Sequence, residues 1–186
     1  MPPFTKYFFP VLLLASLVTA PATEAPKDDY IDWSPKKLEW SDYQSKPDPE
    51  SDAAATTTTY LGVEYKVSGN QFQYRIACRF SKEKSWGLHR TAYILAHEQG
   101  HFDITEIFAR RLNQRLSEYR FNKRTFEKDL KRIYDRVMKE KEEFQNRYDH
   151  ETDFSRNRKV QYEWLDRIGE ILSETEEWGG YPRISE

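Results

Sequence analysis

Cysteine is nearly absent: Cys78 is the only one in 186 residues. No internal disulfide can form, so stability must come from packing and from any bound metal. An excess of either charge is also lacking. Lys plus Arg number 29 against 31 Asp plus Glu, a net charge of −2, which excludes an overall basic field for nucleic acid or an anionic membrane. The local run Arg110, Arg111, Arg115, Arg120, Lys123, Arg124 reads as the solvated end of a helix, where cations complement the carbonyl dipole. No internal repeat is visible, and the length suits one domain with a sizeable core but is short for two.

Long apolar runs are missing everywhere except near the start. Lys6 precedes the apolar run Phe8 to Val18, and Ala20-Pro21-Ala22 offers a small-x-small cleavage site. Residues 1–22 therefore read as a secretory signal peptide. The run is too short to span a bilayer as a mature helix, and no cysteine follows it for a lipid anchor. The expectation is an exported chain, periplasmic or extracellular, with no integral membrane segment once the signal is removed. An uncleaved N-terminal anchor is the alternative.

What the chain does contain is periodicity. Ile31 and Trp33 suggest a short first strand, and Lys37-Leu38-Glu39-Trp40 repeats the alternation. Ala53 to Thr59 suits strand entry. Leu61, Val63, Tyr65 and Val67 alternate with polar residues up to Ser68-Gly69-Asn70, and Phe72, Tyr74, Ile76, Cys78 and Phe80 mirror them, predicting a hairpin with one buried face. On that face Cys78 reads as an inert packed thiol. Three helices follow: one starting near Trp86 to His89 and ending about Tyr119, one over about Lys123 to Tyr148, and one over Arg158 to Glu176. The stripe Phe126, Leu130, Ile133, Val137, Phe144 and Tyr148 reads as core, not as a dimer seam. The fold class expected is α+β: a single domain over 23–178, and a mobile tail over 179–186.

Four histidines occur, and two stand in His97-Glu98-Gln99-Gly100-His101 within the first helix. Residues four apart share a helix face, so His97 and His101 can present two imidazoles to one zinc ion, with Glu98 beside them as general base. A plainer alternative is a helix whose histidines are simply satisfied. Asp103 and Glu106 point well away from the His97 and His101 face and are expected to bridge to other elements instead. Ile104 and Ile107 stand where a metzincin would carry its glycine and third histidine, so a third ligand must come from elsewhere. Tyr148-Asp149-His150-Glu151-Thr152-Asp153 is the richest source. Asp149, His150 and Asp153 all compete as ligands, and Tyr148 is a candidate to polarise a substrate carbonyl. Gly100 inside a helix suggests close approach of another backbone or of substrate.

Trp33, Leu38-x-Trp40-Ser41-Asp42-Tyr43, Ser85-Trp86, the stretch Ile94 to Ile104, Tyr148-Asp149-x-x-Thr152 and Gln161-x-x-Trp164 together resemble a bacterial family, the domain of unknown function numbered 922. Its members are described as predicted secreted zinc-dependent proteases, and the likeness is nearest to versions from Bacteroidetes. The resemblance spans about Asp29 to Ile171. It implies a zincin-like arrangement, an N-terminal antiparallel sheet packed on the His-Glu-x-x-His helix and two further helices, with His97 and His101 as ligands and Glu98 as base. Family members often carry a histidine two residues after the motif threonine, where this chain has Phe154. If that histidine is the family's third ligand, this chain must use Asp149, His150 or Asp153, and the Tyr-Asp pair favours Asp149.

The function expected is thus an exported zinc-dependent peptidase with one zinc ion, acting on a peptide or protein, or on cell-wall peptides through the same site. A catalytically inactive zincin-like binding module, using its many aromatics to grip a partner, is the alternative.

Overall fold

The computed structural model describes residues 29–183. Its centre is the hairpin of β3 (Thr59–Ser68) and β4 (Gln71–Ser81), paired antiparallel from Thr59↔Phe80 to Ser68↔Gln71. Gly69 closes the two-residue turn at φ 60°, a left-handed value that glycine adopts without steric cost. Strand β1 (Tyr30–Asp32) adds to the other edge of β4, giving the order β1-β4-β3. The expected alternation holds on the covered face, where Leu61, Ile76, Cys78 and Phe80 are all buried. Burial pushes the Cys78 thiol well above its ordinary value, as an inert packed cysteine requires.

Two sequence expectations shift. Trp86 does not begin a helix. Trp86–Gly87 is instead a two-residue strand, β5, paired with β2 (Ala55–Thr56), and α1 (Ala92–Ser117) starts only after Thr91, whose side chain accepts a hydrogen bond from the Ile94 amide. The second alternation, at Lys37 to Trp40, forms no strand, and a short 3-10 turn spans Trp40–Asp42 instead.

Helix α1 is covered by the sheet on one side and by α2 (Phe126–Glu151) and α3 (Arg158–Glu174) on the other, so its middle is buried all round from His97 to Gly100 and from Phe102 to Arg110. The α2 stripe is core: Leu130, Val137, Phe144 and Tyr148 are buried. One hydrophobic cluster runs from Trp33 to Tyr181. The buried carboxylates of α1 bridge elements as expected. Asp103 accepts hydrogen bonds from Trp33 Nε1 (2.9 Å), Gln99 Nε2 (2.8 Å) and Lys37 Nζ (2.8 Å). Glu106 accepts from Arg110 Nε (2.9 Å) and from the Tyr181 hydroxyl (2.6 Å). Arg110 is therefore a buried ion-pair partner and not part of a solvated helix end.

Residues 181–183 are held by specific contacts. The Pro182 carbonyl accepts from the Ile76 amide (2.8 Å) and Arg183 Nη1 donates to the Trp33 carbonyl (2.7 Å), so residues 182–183 continue along the edge of β4 where β1 leaves off. Tyr181, 4% exposed, anchors this segment. Removing its hydroxyl leaves a buried carboxylate one donor short, a cost of about 1–3 kcal/mol. Tyr181→Phe should lower the unfolding free energy by that amount, read as an earlier urea midpoint with the slope of the transition unchanged.

No helix among the described residues is long and apolar enough to cross a membrane. The signal segment expected at 1–22 and residues 184–186 of the tail lie outside the described residues.

Candidate metal centre

Helix α2 runs antiparallel to α1, and its last turns lie against the second and third turns of α1. That crossing sets Asp149 beside both histidines. Asp149 Oδ1 lies 3.2 Å from His97 Nε2 and 3.1 Å from His101 Nε2. The ligand atoms of the three residues all fall within 4.8 Å of one another, the one such cluster of three His, Cys, Asp or Glu among the described residues. Two imidazole nitrogens and one carboxylate oxygen are an ordinary zinc donor set, and donors on one tetrahedral zinc at about 2.0–2.1 Å sit roughly 3.3 Å apart, close to the separations found.

The electrostatics of the cluster favour positive charge. Burial alone would pull the His101 imidazole down, but the hydrogen bond and charge of Asp149, with Glu98 and Gln145 behind them, raise it above its ordinary value. Burial would likewise raise Asp149, yet the hydrogen bonds and charges of His101 and His97 hold it well below the usual carboxylate range. A cation held by the two imidazoles would satisfy the same Asp149 oxygen.

The other sequence candidates are separated from this point. His150 is exposed, and Asp153 is 65% exposed with Arg156 Nη1 at 3.7 Å. Tyr148 does not face the cleft. It is fully buried beneath the histidines, its ring stacked on His97 at 4.6 Å and 20°, and its hydroxyl donates to the His97 carbonyl at 3.1 Å. A carbonyl-polarising role does not fit that position, because the hydroxyl is already committed within the core. Burial, then the charges of Glu98 and Asp149, push its pKa further above the phenol range. The close approach expected at Gly100 is made by this side chain: a Cβ there would lie 2.5 Å from the Tyr148 hydroxyl oxygen.

Gln145 was not singled out from sequence, although it stands one turn before Asp149 on the same face. Its Oε1 lies 2.5 Å from His101 Nδ1 and its Nε2 donates to the His101 carbonyl at 2.9 Å. In the neutral imidazole, an Nδ1–H held this way would leave the Nε2 lone pair for a cation.

The remaining motif residues support the two helices. Thr152 Oγ1 donates to the Tyr148 carbonyl (2.7 Å), closing α2, and Gln99 Oε1 accepts from the Leu38 amide (2.8 Å). Gln161 Nε2 donates to the Tyr93 carbonyl (3.1 Å) and Trp164 Nε1 to Glu151 (2.8 Å). After α2, Asp153, Phe154 and Ser155 take left-handed φ values of 48°, 51° and 70°, a conformation that costs non-glycine residues about 1–2 kcal/mol each. Hydrogen bonds from the Phe154 amide to the Asp149 carbonyl (2.8 Å) and from the Tyr93 hydroxyl to the Ser155 carbonyl (2.6 Å) hold the turn. Phe154, 60% exposed, is thereby left on the rim of the site.

His97, Glu98, His101 and Asp149 line a cleft of about 1000 Å³. Its far wall is the extended segment Ala53–Thr59, and Tyr93, Ile94 and Phe154 form an apolar end. Glu98 is 5% exposed, and no hydrogen bond or ion pair engages its carboxylate among the described residues.

A family model described as bacterial protein of unknown function (DUF922) matches residues 14–156, well over half of the chain. The chain belongs to the DUF922 family. The match takes in His97, Glu98, His101, Gln145 and Asp149, so the whole cluster is part of the DUF922 region and α3 lies beyond it. No curated protein and no solved structure matches the chain.

Proposed function

We propose that this DUF922 chain is an exported zinc-dependent peptidase with a zincin-like site, and that residues from about 23 onward form its mature single domain. The observation that carries the proposal is the convergence of His97, His101 and Asp149 on one point of a cleft whose adjoining carboxylate, Glu98, is unengaged. Export rests on the Lys6 and Phe8 to Val18 pattern.

His97, His101 and Asp149 would hold the ion. When bound, zinc acidifies water and polarises a carbonyl oxygen. The Glu98 carboxylate accepts the proton from the attacking water and gives it to the departing amide nitrogen. Gln145 keeps His101 in the tautomer with Nδ1 protonated, and Tyr148 fixes the plane of His97 from below. The segment Ala53–Thr59 lies alongside, extended, where a substrate chain would run.

Gln145 is a positioning residue, and its loss should weaken zinc binding about tenfold to a hundredfold. Competition with a chelating indicator measures this, with Gln145→Leu showing the loss and Gln145→Glu, which keeps an acceptor for Nδ1–H, retaining most of the affinity.

The proposal is tested by incubating the zinc-loaded protein with an unfolded protein and with peptidoglycan, then identifying products by mass spectrometry. New peptide termini that a chelator suppresses are expected, and the substrate that yields them separates proteolysis from cell-wall peptide cleavage. Intact substrates in both incubations would contradict it and favour a binding module.

A further inference from the structure

Lys141, Gln145 and Asp149 are spaced four apart on α2 and form one ridge along the cleft. Asp149 meets the histidines and Gln145 holds His101. Lys141 has no such engagement: it is half-buried, lines the cleft, and makes no hydrogen bond or ion pair among the described residues. Several neighbouring charges on this helix are paired, Glu140 with Arg115 and Arg136, Lys131 with Asp135, and Lys139 with Glu143. Burial holds the Lys141 ammonium below the ordinary lysine value, outweighing the nearby charge of Glu142, with which it makes no ion pair. An ammonium so placed is a ready partner for a carboxylate.

Position sets where that carboxylate falls. Two helical turns separate Lys141 from Asp149, about 12 Å at 1.5 Å per residue. An extended chain rises about 3.3 Å per residue, so the interval spans roughly three residues. The opposite end of the cleft carries Tyr93, Ile94 and Phe154 together with Arg156, whose guanidinium already has Asp153 at 3.7 Å.

We propose that Lys141 forms a carboxylate-binding subsite, so that the cleft selects peptides bearing a carboxylate roughly three residues from the bond held at His97, His101 and Asp149. The carboxylate is either an Asp or Glu side chain or the C-terminus of the peptide. The inference builds on the peptidase reading for the occupant of the cleft.

Its test measures binding and not turnover. The zinc-loaded mature chain carrying Glu98→Gln is titrated with fluorescent peptides in matched pairs: glutamate against glutamine scanned along the chain, and free C-terminal acid against carboxamide. We expect about tenfold tighter binding of the acid in one pair, with the pair that shows it telling side chain from terminus. Adding Lys141→Met, which keeps the aliphatic stem, should reduce that ratio to about one, and Lys141→Arg should preserve it. Circular dichroism and zinc content establish that each variant is folded. Equal binding of acid and neutral peptides, including no binding of either, overturns the subsite, as does a preference that persists in Lys141→Met. If peptides bind with this preference while the wild-type chain cleaves none, the peptidase reading fails and the subsite stands.

Discussion

Glu98→Gln is expected to lower peptide hydrolysis by about 10²–10⁴-fold while leaving zinc content and fold intact. Glu98 is buried at the wall of the cleft and next to His97, yet no protein group depends on it for a hydrogen bond among the described residues. Its replacement by an amide of the same shape therefore strands no partner and opens no cavity. What it removes is the ability to accept a proton. The effect should appear in kcat/KM on a quenched fluorescent peptide, with thermal midpoint and zinc stoichiometry as controls. Hydrolysis at the wild-type rate in this variant would refute the role given to the carboxylate.

Gly100→Ala carries the largest expected effect on stability. Alanine is the better helix former by about 1 kcal/mol, so propensity alone predicts a gain. The structure predicts the reverse. A Cβ at this position would lie 2.5 Å from the Tyr148 hydroxyl oxygen and 2.9 Å from its Cζ, and Tyr148 is packed against Trp164 and His97 with no exposed surface. Overpacking of a rigid ring costs roughly 1–3 kcal/mol, and displacement weakens the hydrogen bond to the His97 carbonyl by about 1 kcal/mol more. A net loss of about 2 kcal/mol in denaturant unfolding is expected, with weaker zinc binding because the ring that seats His97 has moved. A stabilised Gly100→Ala protein would show that Tyr148 can retreat, and that it does not set the position of His97.

Much of this arrangement was legible in the residues. The hairpin register follows from strict alternation on both sides of Gly69-Asn70, and α2 and α3 follow from stripes at three and four residue intervals. The shared face of His97 and His101 on α1 follows from their four-residue spacing. The choice among Asp149, His150 and Asp153 was partly legible too. Once Tyr148 is placed on the buried stripe of α2, His150 lies about 200° around the helix and must face solvent. Asp153 falls beyond the helix, in a left-handed turn that no local propensity announces. Tyr148 itself misled, since a tyrosine beside a metal ligand is as compatible with a buried prop as with a group facing substrate, and only the packing of α2 on α1 decides. The anchoring of Tyr181 was not legible for a related reason. Gly179-Gly180 looks like the start of a mobile end, but Tyr181 finds Glu106, a partner 75 residues away, and no local pattern encodes a contact of that range. Lys141 carried no signal at all, because its meaning lies in the partner it lacks.

The central claim, that His97, His101 and Asp149 hold one metal ion, is tested most directly by the zinc content of the purified mature protein after exposure to trace zinc. The account predicts about one tightly held zinc per chain in the wild type and in His150→Ala, and none in His101→Ala or Asp149→Ala. A folded wild-type protein that takes up no zinc, or zinc retained in full by both of those variants, would contradict it.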